Sequence, residues 1–84
     1  MRLELHPTGP CWVSVEADGK VVLERMLQPG ERETLTARDG MAITVGDAAA
    51  FAFTIDGREG RPLGGAGEVK TARITRATLA EFVR

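Results

Sequence analysis

Eighty-four residues and 9.0 kDa accommodate one small domain, which at that mass buries about 63% of the surface its unfolded chain exposes. Hydrophobic residues at 43% and charged residues at 27% exclude outright disorder, and the single cysteine excludes an internal disulfide. The longest apolar run is far shorter than the ~20 residues a bilayer requires, the N-terminus lacks the apolar stretch of a secretory signal, and a net charge of −1 lacks the basic footprint of a nucleic-acid binder.

Short alternating runs divided by turn pairs predict strands at 2–6, 11–16, 20–26, 32–37, 41–45, 50–55 and 69–75. The first hairpin can be argued to its register. A three-residue loop Ala17-Asp18-Gly19, with Gly19 left-handed, pairs Val15 with Val21 and Val13 with Leu23, gathering apolar residues on one face with Cys11. Trp12, Ser14, Glu16, Val22, Glu24 and Met26 then share the opposite, half-covered face. Pro29-Gly30 suits a type II turn. The charged run 31–36 reads as a protected edge strand. Met41, Ile43 and Val45, then Phe51, Phe53 and Ile55, alternate with small or polar residues and supply two inward faces. Segment 57–68, with five Gly and a Pro, is expected to be the longest irregular stretch. Thr78-Leu79-Ala80-Glu81 fits a capping box, so one or two helical turns are expected to close an open end of the fold. The resulting fold class is all-β: a small antiparallel β-sandwich of about seven short strands, Ig-like in architecture, with a short C-terminal helix or tail over 76–84.

Parts for catalysis are scarce. The chain has one His (His6), one Cys (Cys11) and one Ser (Ser14), and no motif positions a nucleophile or oxyanion hole. A Cys11–His6 pair is conceivable if their strands are neighbours, but Cys11 falls on the apolar face, where a thiol is usually inert. One His and one Cys cannot make a structural zinc site. Gly64-Gly65-Ala66-Gly67 lacks the third Gly of a dinucleotide fingerprint. Lys70-Thr71 lacks the Gly that precedes Lys in a phosphate-binding loop. No enzyme activity, cofactor or metal is expected.

Two features point outward. Trp12, the only tryptophan, is either a partly buried anchor or an exposed contact for a partner or sugar. Residues 57–84 carry six basic and three acidic side chains, against five and nine in residues 1–56. That surplus is either a solvated face or a weak acceptor for an anionic partner. Trp12, Arg58, Arg61 and Arg73 are the candidate partner-facing residues.

The order of features resembles a known family. Cys11-Trp12-Val13-Ser14-Val15, Asp18-Gly19-Lys20 and Leu27-Gln28-Pro29-Gly30-Glu31 look like the start of the C-terminal domain of RodZ-like proteins. Val45-Gly46-Asp47-Ala48-Ala49-Ala50-Phe51, Ile55-Asp56-Gly57, Leu63-Gly64 and Gly67-Glu68-Val69 continue it in order, so that the likeness runs from about Leu3 to Thr75. The chain departs where the family more often has Gly-Asn-Ala-Gly after the strand at 41–45; Ala49 cannot take a left-handed conformation as cheaply as Gly.

The resemblance implies a parent protein with a cytoplasmic helix-turn-helix domain that binds the bacterial actin MreB. One membrane helix and a linker would then lead to this domain outside the membrane, in support of rod shape and wall elongation. On that reading the chain is an excised, monomeric, periplasmic module. Its partners would be elongation proteins or wall material, with no nucleic acid bound and the membrane reached only through an upstream helix. The rival expectation is a small-ligand or glycan (peptidoglycan fragment) binding domain using Trp12 and the Arg-bearing loop 57–68.

Overall fold

The computed structural model describes residues Met1 to Arg84 and contains eight strands. They are β1 (Arg2–Leu5), β2 (Cys11–Ala17), β3 (Lys20–Leu27), β4 (Glu33–Thr36), β5 (Gly40–Val45), β6 (Phe53–Ile55), β7 (Arg58–Glu59) and β8 (Lys70–Thr75). Two four-stranded sheets result, ordered β4-β1-β6-β7 and β3-β2-β5-β8, with every pairing antiparallel. The fold is the expected all-β sandwich.

Period-two alternation puts one side of each sheet inside. Leu3, Leu5, Phe53 and Ile55 of the first sheet join Cys11, Val13, Val15, Met41, Ile43, Val45 and Ile74 of the second in one hydrophobic cluster. Phe51 and Phe53 meet with ring centroids 5.2 Å apart. The run 31–36 is an edge, as its charge suggests: β4 borders the first sheet and β3 the second. Arg25 lies opposite Val13 and Glu33 opposite Leu5, so both charges sit on inward-facing positions of these edges. Arg25 pairs with Glu31 and, at 3.8 Å, with Glu33. Inward charges at sheet edges discourage addition of a foreign strand. Gly30 has φ 89° and Glu31 N–H donates to the Gln28 carbonyl at 3.1 Å, as a type II turn requires.

Four expectations need correction. The first hairpin turns on two residues, Asp18-Gly19, both with positive φ (49° and 83°), and pairs Ala17 with Lys20. Apolar register is recovered by a bulge instead: Glu16 faces Val21, Val15 faces Leu23, and Val22 is the extra residue. Val21 therefore leaves the inner face and is exposed. The two-residue turn is favoured because Asp18 reaches across to another loop. Its carboxylate accepts the N–H groups of Arg38 (2.7 Å), Asp39 (2.9 Å) and Gly40 (3.2 Å).

Segment 57–68 is not wholly irregular. Asp56-Gly57 repeats the same positive-φ turn (52° and 81°) and starts β7, with the Asp56 carboxylate accepting the Arg2 N–H at 2.7 Å. The strand expected at 50–55 begins only at Phe53, because Ala48–Ala50 form a single 3-10 turn. Neither Asp47 nor Ala49 adopts positive φ there, so the Gly that the family more often carries is not needed. Finally, the C-terminal helix is one 3-10 turn, Leu79–Glu81, and the capping box does not form. The Thr78 hydroxyl instead accepts the Thr75 N–H at 3.0 Å. Beyond this turn Val83 is buried and pairs with Gly60 next to β7.

Candidate interaction surface

The outward faces of the two sheets differ in chemistry. That of the first sheet presents Arg2, Glu4, Thr34, Thr36, Thr54 and Glu59, all polar. That of the second carries an apolar row at one end. Trp12 lies opposite Met26 on β3, and the Gly46 N–H donates to the Trp12 carbonyl at 2.8 Å. One residue beyond β8, the same register sets Val69 beside Gly46. Met26, Trp12 and Val69 are 50%, 41% and 70% exposed, so the row is open to solvent. Gly46 is its floor: a β-carbon there would stand 3.2 Å from Trp12 Cβ and lift the indole.

Two strand-rungs from that row, the same face ends in a mixed row, with exposed Val21 opposite Glu16. Glu16, Ala42 and Arg73 lie side by side across β2, β5 and β8. With Asp18, Asp39, Gly40 and Thr75 they line an open cleft of about 500 Å³. The Asp18 carboxylate is held below its ordinary range, because the Arg38, Asp39 and Gly40 amides donate to its charged form. Glu68, beside the apolar row, is held below that range by the Gly65 N–H and then by Lys70.

The four residues singled out from the sequence do not converge. Trp12 and Arg73 share the outer face of the second sheet, at opposite ends. Arg58 lies on β7, at the edge of the first sheet. Arg61 is turned to structure: its Nε donates to the Val83 carbonyl at 3.0 Å. The basic surplus is dispersed in the same way. Lys70 pairs with Glu68, Arg76 donates to the Arg38 carbonyl and Arg84 pairs with Glu59, which leaves only the Arg58 and Arg73 side chains with no hydrogen-bond or ion-pair partner.

His6 and Cys11 are not neighbours in one sheet, since β1 and β2 belong to different sheets. The Cys11 thiol is buried and donates to the Asp47 carbonyl at 3.4 Å. Sequence reading missed Val69, although stepping back by twos from outward Arg73 and Thr71 reaches it.

Residues 4–75 match the family model of the RodZ C-terminal domain. The chain belongs to that family. No curated protein and no solved structure matches it. The RodZ match runs from within β1 to the end of β8 and takes in strands of both sheets and the whole apolar row, while residues 1–3 and 76–84 lie outside it. No helix of the chain is long and apolar enough to cross a membrane.

Proposed function

We propose that the chain is a non-enzymatic interaction module, the extracytoplasmic C-terminal domain of a RodZ-like protein that supports rod shape and wall elongation. The observation that carries this reading is the apolar row Met26-Trp12-Val69 on one sheet, set against a wholly polar face on the other. An exposed aromatic flanked by a flexible Met and a Val suits a weak protein contact, in which the aromatic anchors and the Met adapts. Tethering to a membrane-anchored parent raises the effective concentration to around millimolar. Contacts of about 4 kcal/mol, a dissociation constant near 1 mM, then suffice.

The test is made in the membrane-bound parent. Trp12→Ser with Met26→Ser is expected to widen and round the cells, to the same degree as deletion of the domain in a parallel strain, at unchanged protein level. Normal rods from the double variant would reject the surface. The glycan reading requires Trp12 and the 57–68 arginines to face one ligand, and it draws less support from their dispersal over two sheets. A sub-micromolar muropeptide titrated against Trp12 fluorescence would restore it.

A further inference from the structure

The outer face of the second sheet divides into two unlike halves. Its β2–β3 half carries Trp12 and Met26 of the apolar row and, farther along, the acidic Glu24 and Glu16. Its β5–β8 half carries Val69 of that row and the basic Arg73. Along β5 the outward residues are Gly46, Thr44 and Ala42, none larger than Thr. Glu16, Glu24 and Arg73 are exposed, and none is in an ion pair. Glu16 and Arg73 flank Ala42 without meeting, two strand spacings or about 10 Å apart. A face with bulk and negative charge on one side, low relief and positive charge on the other, is complementary to itself.

A two-fold axis in the plane of contact, along the strands between β2 and β5, matches the unlike halves. β2 of one copy then lies over β5 of the other, and β3 over β8, as in the aligned packing of two sheets. The two Trp12 indoles stand on either side of the axis, above the low ground of Gly46, and pack against each other. Met26 of each copy comes across from Val69 of the other, which covers the exposed apolar row from end to end. Arg73 extends along exposed Val21 of the other copy toward its Glu16 and Glu24. It thereby gains the partner that its own chain does not supply.

We propose that this face pairs with the same face of a second copy, in a weak symmetric homodimer rather than the monomer expected from sequence. The pairing rests on the reading of the apolar row as a contact surface and supplies its occupant. Four strands make a face of roughly 20 Å by 20 Å, about half of the ~800 Å² per partner that a stable interface buries. The dimer therefore has a dissociation constant of about 1 mM and forms where parent molecules are held close together.

The check is sedimentation equilibrium of the full chain from about 0.1 to about 3 mM, which brackets that constant. The mean mass is expected to rise toward twice that of the chain, and Trp12→Ser to weaken association at least tenfold. Arg73→Glu and Glu16→Lys, both at exposed positions, should each weaken it about fivefold by setting like charges against each other at both symmetric contacts. An equimolar mixture of those two variants should recover association, since every contact of the mixed dimer pairs opposite charges. A mixture that associates no better than its components overturns the proposal, as does a parent chain still monomeric at about 3 mM. With a monomeric parent chain, cells rounded by Trp12→Ser with Met26→Ser would assign the row to a different protein, and normal rods would reject the row itself.

Discussion

Gly60 lies against the ring of Phe53. A β-carbon on Gly60 would stand 2.6 Å from Phe53 Cδ2 and closer still to Cε2 and Cζ, while the Gly60 N–H donates to the Phe53 carbonyl at 2.8 Å. Phe53 is a buried core residue whose ring cannot withdraw without opening the cluster. Gly60→Ala is therefore expected to destabilise by about 1–3 kcal/mol, the usual cost of overpacking. A thermal midpoint unchanged within error would show that the ring has room to move.

Removing that ring is worse. Phe53→Ala should cost ~3–5 kcal/mol, a large share of what so small a core supplies. Arg58→Ala, at an exposed side chain without a partner, should stay within about 0.5 kcal/mol. Arg61→Ala resembles a loop substitution from sequence, but it removes the clasp on Val83 and should cost about 1 kcal/mol. Urea midpoints should rank Phe53, Arg61 and Arg58 in that order, and a different order would refute these assignments.

Cys11 should label slowly. Its thiol is buried at 1% exposure beneath the apolar row and is held by a carbonyl. A thiol reagent should react at the rate of chain opening and quickly in denaturant. Fast, stoichiometric labelling of the folded chain would contradict the burial.

Acid should weaken the fold through Asp18, Glu31 and Glu68. All three are held below their ordinary range: Asp18 by three backbone N–H groups, Glu31 by the Gln28 N–H and then Arg25, Glu68 by the Gly65 N–H and then Lys70. A carboxylate with a depressed folded pKa stabilises fully above its unfolded value. That contribution is lost as pH falls through the folded pKa. Midpoints should thus be flat from neutral pH down to about 5 and fall below about 4. Asp18→Asn should lower the midpoint at pH 7 and lie closer to the parent at pH 2. A constant gap across that range would show that the Asp18 charge contributes nothing.

Trp12 offers a direct optical check. Half-exposed above Gly46, it should emit at longer wavelength than a core indole and be quenched by iodide in the folded state. Gly46→Ala, by crowding Trp12 Cβ, should shift the emission with little loss of stability. A blue, unquenchable emission would place the indole inside and remove the apolar row.

Local pattern determined most of the strands. Alternation along Cys11-Val13-Val15, Met41-Ile43-Val45 and Phe53-Ile55 decides which side of each strand is inside, because a strand's side chains point alternately to two faces. Asp18-Gly19, Pro29-Gly30 and Asp56-Gly57 mark turns, since the positive φ values these turns need suit the residues themselves. The edge character of β4 and the burial of Cys11 were legible for the same reason. What escaped depends on partners distant in sequence. The two-residue turn at Asp18-Gly19 and its bulge at Val22 follow from Asp18 meeting amides 20–22 residues away. Thr78 caps nothing, because Thr75 engages its hydroxyl and the chain beyond is pulled toward Gly60. Arg61 and Val83 carry no local signal of their pairing, since charge and hydropathy report each residue's preference for water but not which neighbour the fold brings to it. Only the closed sandwich, with β7 and the C-terminus on one edge, decides that.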